Sequence, residues 1–182
     1  MKHLGKGLAF LLLATVGVVA QETEKMAVPD YRQWVFLTSS LDLNYGTAAP
    51  PSHHMLDNIF VNPEAYGVFV KTGTWPDKAV LIKENRMAAS AGTLSKAGYF
   101  QADVMDLEIH VKDTARPGNW AFFVSSDGKA PATLEPQSAN CYSCHQEHAA
   151  VDTTFVQFYP TLMAIAAAKG TLSEAYRKAR GN

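Results

Sequence analysis

Apolar residues along this chain occur in short blocks, and their spacing predicts strands in the middle and helices toward the end. Leu8 to Ala20 is an apolar run preceded by Lys2, His3 and Lys6. Gln21 to Val28 is polar and short, and reads as a weakly ordered stretch. Tyr31 to Leu37, with three aromatic and two aliphatic residues, fits either a helix opened after Pro29 or the start of a strand. Asn44 to His54 contains Gly46, Pro50 and Pro51 and reads as a loop, followed by a strand from Met55 to Val61. Asn62-Pro63 caps the helix predicted over Pro63 to Lys71, with Tyr66 and Val70 on one face and Gly73 as its stop. Ala79 to Arg86 reads as a strand, Met87 to Gly98 as a loop or helical turn, and Phe100 to Val111 as a partly alternating strand. Trp120 to Val124 is a compact apolar run between turns, which predicts a buried strand. Ala130 to Asn140 is a polar, proline-containing approach to two cysteines. Beyond them Phe155, Phe158, Leu162, Ile165 and Ala166 recur at helical spacing, with Pro160 starting or kinking the helix. Thr171 to Arg180 predicts a last short amphipathic helix. The pattern predicts a single α+β domain, because no repeat or low-complexity linker divides it.

The basic start and apolar run fit a secretory signal peptide over residues 1–20, with cleavage expected between Ala20 and Gln21 after the small residues Val18 and Ala20. A retained membrane anchor is the alternative, but a span needs about 20 apolar residues, and no later segment has that character. Cleavage leaves residues 21–182 as the mature domain, ample for one core. It also removes Lys2 and Lys6 from a balance of 16 basic and 17 acidic residues, leaving a mildly acidic protein. There is no block of Lys and Arg for a groove that tracks a phosphate backbone, so a nucleic-acid partner is not expected.

Export permits a disulfide, but Cys141 and Cys144, the chain's two cysteines, would close only a very small loop. Cys141-Tyr142-Ser143-Cys144-His145 instead matches the pattern for covalent attachment of a c-type haem. Two thiols add to the two vinyl groups of the macrocycle, and the adjacent imidazole reaches the iron. Two other chemistries use similar residues. A zinc site would recruit Cys141, Cys144, His145 and His148, with adjacent ligands at 144 and 145 in a cramped arrangement. A thioredoxin-like pair would leave His145 without a role. The sixth ligand is not declared: Met87, Met105, Met163, His53, His54, His110 and His148 all have ordinary structural explanations. Electron transfer and ligand chemistry therefore both stand open at this point.

Several separated segments, in order, resemble the cytochrome P460 family, which includes the beta-type cytochromes c-prime. They are Tyr31-Arg32-Gln33-Trp34-Val35, Asn62-Pro63-Glu64-Ala65-Tyr66, Lys71-Thr72-Gly73-Thr74-Trp75, Gly118-Asn119-Trp120-Ala121-Phe122-Phe123, the haem motif, and Thr154 to Leu162. The resemblance implies a mostly antiparallel sheet packed with helices, a homodimer, and one five-coordinate haem c with His145 on the iron and the opposite face open. In the P460 branch a lysine is also linked to the haem ring and the enzyme oxidises hydroxylamine and nitric oxide. In the beta-type branch an apolar distal face binds nitric oxide or carbon monoxide.

Lys83, in Val80-Leu81-Ile82-Lys83-Glu84, stands where the P460 branch has its linked lysine; read as an ordinary strand residue it would face solvent. Where that branch has an arginine ahead of Asn62, this chain reads Leu56-Asp57-Asn58-Ile59-Phe60, as the beta-type branch does. Phe60 is then a candidate for an apolar distal residue. The expectation is an exported haem protein that oxidises hydroxylamine or nitric oxide and reduces a periplasmic electron carrier, with Glu84, Asp57 and Asp103 as candidate proton acceptors. The alternatives are a nitric oxide-binding protein without catalysis and a plain electron carrier with two protein ligands on the iron.

Overall fold

The computed structural model describes residues 23–43, 53–90 and 96–181. The expected signal peptide and most of the loop read over 44–54 lie outside these residues. A seven-stranded antiparallel sheet forms the centre: β1 (Lys25–Met26), β2 (Val35–Leu41), β3 (Met55–Val61), β4 (Val80–Ala89), β5 (Phe100–Lys112), β6 (Trp120–Ser125) and β7 (Ala132–Leu134). Their order across the sheet is β1-β7-β6-β5-β4-β3-β2, so β4 and β5 are interior strands. Four helices accompany the sheet: α1 (Pro63–Thr72), α2 (Asn140–His148), α3 (Pro160–Lys169) and α4 (Glu174–Ala179).

The α+β architecture agrees with the sequence pattern, and the departures from it have physical causes. Tyr31–Gln33 is a single 3₁₀ turn that leads into β2, so the ambiguous segment is helical at its start and extended after it. The polar stretch expected to be weakly ordered contributes β1, which pairs with β7, itself hidden in the approach to the cysteines. β4 runs on to Ala89, through residues read as loop, because β5 is long enough to pair with it that far. In α1 the buried pair is Ala65 and Phe69, whereas Val70 is exposed. The Asn62 side chain does not cap α1 but accepts from the Val80 N–H at 2.8 Å, joining the helix start to β4.

Alternation in the strands separates two cores. On one face Val61, Leu81, Trp120 and Phe122 meet Phe69, Trp75, Val156, Leu162 and Ala166 from the helical side. On the other, Ile82, Leu107, Ile109 and Phe123 pack with Tyr31, Met26, Val28 and Trp34 from the N-terminal segment. Both faces of β4 are thus covered, which is how a strand with four successive polar residues, Lys83 to Arg86, comes to lie in the interior.

Candidate functional site

α2 starts just after the turn in which the Ala139 N–H bonds the Pro136 carbonyl, and it carries the whole Cys-x-x-Cys-His segment. Spacings of three and four residues bring Cys141, Cys144 and His145 to one side of that helix. Tyr142, between the cysteines, anchors it: its hydroxyl accepts from the Phe122 N–H and bonds the Glu135 carbonyl, both at 3.3 Å, and its ring packs edge-on against Phe122. Neither cysteine is in a disulfide, and partial burial holds both thiols above their ordinary pKa, so they are protonated at neutral pH.

His145 is buried among Phe122, Phe155 and His110, with ring centroids 4.8, 4.3 and 4.7 Å away. Its Nδ1 donates to the Thr153 carbonyl at 2.7 Å, which leaves Nε2 as the nitrogen available to a metal. Burial lowers its pKa, against the opposing pull of the Thr153 carbonyl, so the ring is neutral and competent as a ligand.

His145 opens onto a hollow of about 590 Å³, including the solvent at its mouth, between this sheet face and the segment after α2. Its polar wall is Thr38, Ser40, Asp57, Lys83, Glu108 and His110; Ile59, Leu81, Phe155 and Phe158 supply apolar surface. Sheet register builds the polar wall. Ile59, Lys83 and Glu108 are direct neighbours across β3, β4 and β5, and Asp57 and Asn85 are paired one step along. Lys83 Nζ donates to Glu108 at 2.9 Å and lies 3.8 Å from Asp57. Burial works against its charge, but Glu108 and Asp57 outweigh burial and hold its pKa above the usual value. Asp57 is 2 % exposed; burial raises its pKa despite Lys83, and its Oδ1 has no hydrogen-bond partner among the described residues.

The hollow therefore brings Lys83 and Asp57 together with His145, and corrects the picture of Lys83 on a solvent-facing strand edge. Glu84 does not join them: it is on the opposite sheet face, held by Tyr31, Arg32, Arg86 and Asn58. Asp103 is exposed and outside the hollow. Phe60 also lies on the far face, packed edge-on with Tyr31 and Phe36. Met87, Met105, Met163, His53, His54 and His148 do not line the hollow. His110 does, but its ring is packed against His145 too closely for a macrocycle to lie between them. Glu108 is a polar member of the site that the sequence reading did not single out, and the strict alternation from Asp106 to Val111 is the signal that places it on one face with His110. Among the described residues no group of three or more His, Cys, Asp and Glu side chains is arranged to hold a metal ion.

A family model described as Cytochrome P460 matches residues 28–156, from the N-terminal segment through α2 to the start of the helical C-terminal part. The chain belongs to the cytochrome P460 family. No curated protein matches it. Membership makes haem the cofactor, and the donors present fit one: a neutral imidazole with one ring nitrogen engaged and the other available, two protonated thiols on the same helical turn, and aromatic walls beside them. Cys141, Cys144 and His145 share α2, and His145 and Lys83 share the hollow. No helix among the described residues is long and apolar enough to cross a membrane.

Proposed function

We propose that this protein is an exported mono-haem c-type cytochrome that oxidises hydroxylamine, nitric oxide or both, passing electrons to a periplasmic carrier protein. The observation that carries the reading is the polar wall: Lys83, Asp57 and Glu108 share one hollow with the available face of His145. Bound haem supplies a redox-active iron able to take a small nitrogen ligand and its electrons. Cys141 and Cys144 would hold it by thioether bonds, and His145 would supply Nε2 to its iron. Oxidising hydroxylamine releases protons, and Asp57, with its raised pKa and unpartnered Oδ1, is suited to accept one. Glu108 is the second acceptor within reach of Lys83. Ile59, Leu81, Phe155 and Phe158 limit water around the reacting ligand. Export with cleavage between Ala20 and Gln21, and assembly as a homodimer, belong to the same reading.

One observation favours the second reading, a nitric oxide binder without turnover. Lys83 is engaged as an ammonium with Glu108, and an ammonium cannot attack a haem carbon until it loses its proton. Peptide mass mapping of the exported holoprotein separates the two. A peptide containing Lys83 joined to the haem peptide of Cys141 and Cys144, and lost in Lys83→Arg, is the result expected for the oxidase. Haem held by the cysteines alone, with no turnover of hydroxylamine by an added electron acceptor, assigns the protein to nitric oxide binding.

A further inference from the structure

The carbonyl that orients His145 belongs to a turn that its own residues disfavour. Val151 and Thr154 form a bridge closed by the Thr154 N–H on the Val151 carbonyl at 2.7 Å and the Val151 N–H on the Thr154 carbonyl at 3.3 Å. The two residues between them both have positive φ, Asp152 at 51° and Thr153 at 57°. This is the sign pattern of a type I′ turn, which Asn-Gly adopts readily. For β-branched Thr153 the left-handed backbone is a true outlier. Its Oγ1 is also buried without a hydrogen-bond partner among the described residues. Neither feature favours folding.

Contacts from two distant elements hold the turn in this state. Lys112, at the end of β5, donates from Nζ to the Asp152 carboxylate and, at 2.8 Å, to the Trp75 carbonyl. The Lys112 side chain is only 12 % exposed, so solvent screens this ion pair weakly. Trp75 returns to the turn through its indole N–H, which donates to Thr154 Oγ1 at 2.8 Å, and that hydroxyl donates to the Val151 carbonyl at 2.7 Å. The clamp fixes the direction of the Thr153 carbonyl, and hence the length and angle of the Nδ1–H bond from His145.

We propose that the Lys112–Asp152 ion pair and the left-handed turn it clamps are a positioning device for the axial imidazole, setting the strength of the His145 hydrogen bond and through it the reduction potential of the bound iron. The inference rests on His145 being the iron ligand. A strong Nδ1–H bond to a carbonyl makes the imidazole more basic, which favours ferric over ferrous iron. Slackening the turn therefore raises the potential and weakens the iron–imidazole bond.

The test compares holoprotein of the parent with Lys112→Met, Lys112→Gln and Asp152→Asn, by spectroelectrochemical titration and by the iron–imidazole stretch in resonance Raman spectra. Lys112→Met is expected to raise the reduced-to-oxidised ratio about tenfold at fixed poise, about 59 mV for one electron, and to lower the stretching frequency. Lys112→Gln, which keeps a neutral hydrogen-bond donor at this position, is expected to shift both in the same direction by less. Asp152→Asn keeps a side chain that tolerates left-handed backbone but removes the charge that pairs with Lys112, so it should shift both in the same direction as Lys112→Met, by less. Lower melting temperatures with an unchanged potential and stretch in the folded Lys112 variants would overturn the proposal and leave the pair a purely structural brace. Absence of an iron–imidazole stretch in the parent itself would instead bring down the assignment of His145, and this inference with it.

Discussion

Lys83 is held between opposed forces, since burial favours the neutral amine while Glu108 and Asp57 favour the ammonium. Glu108→Gln removes the nearer carboxylate charge, so burial gains weight and the Lys83 pKa falls. The expected outcome is a lower pH threshold for reaction of Lys83 with an amine-selective reagent, and for any haem cross-link through it, both read by mass spectrometry across a pH series. At Gly73, far from this chemistry, backbone freedom decides the packing. It ends α1 with φ at 78°, its N–H bonds the Phe69 carbonyl at 2.7 Å, and its carbonyl accepts from Thr171 Oγ1 at 2.7 Å. An added Cβ would lie 2.8 Å from the Lys169 Cβ and 2.9 Å from Thr171 Oγ1. Gly73→Ala should therefore cost about 1–3 kcal/mol in urea unfolding, with the haem spectrum unchanged.

At the scale of one element, β4 divides its polar residues between two environments. Lys83 serves the hollow, whereas Glu84, 1 % exposed, anchors the N-terminal segment to the far face. Its carboxylate accepts from the Tyr31 hydroxyl at 2.5 Å, Arg32 at 2.5 Å, Arg86 Nε at 2.6 Å and Asn58 at 3.2 Å. Burial alone would raise the Glu84 pKa, but the bonds from Arg86, Tyr31, Arg32 and Asn58 bring it from 4.5 to about 2. A depressed folded-state pKa means that the stabilisation is complete above pH 4.5 and is lost as pH falls through about 2. Glu84→Gln should cost about 3–5 kcal/mol at neutral pH, as breaking a buried pair does. Urea midpoints measured from pH 6 down to pH 2 should converge for variant and parent, because the parent loses there what the variant lacks throughout. The sequence shows β4 as a strand and separates Lys83 from Glu84 by alternation. Which face meets the hollow depends on the neighbouring strands and on what covers each side.

For the whole molecule, haem and fold are expected to be linked, since a group bound by the folded chain and not by the unfolded one stabilises the fold. A Cys141→Ser, Cys144→Ser double variant purified without haem should melt more than about 5 °C below the holoprotein by calorimetry, since 1 kcal/mol is worth about 2–4 °C at this size. The grouping of Cys141, Cys144 and His145 was legible because they are neighbours in the chain, and α2 brings them to one side of a helix. The main strands were legible too, Met55 to Val61 as a stretch ended by Asn62-Pro63 and Phe100 to Val111 from its partial alternation. Sheet order and register, which set Lys83 beside Glu108 and near Asp57, came only from the tertiary structure, because strand pairing joins residues 25 or more apart. The same holds for the turn at Asp152 and Thr153. No local preference of those residues favours positive φ over an ordinary extended path, and only Lys112 and Trp75, brought in from distant elements, make that backbone the stable one.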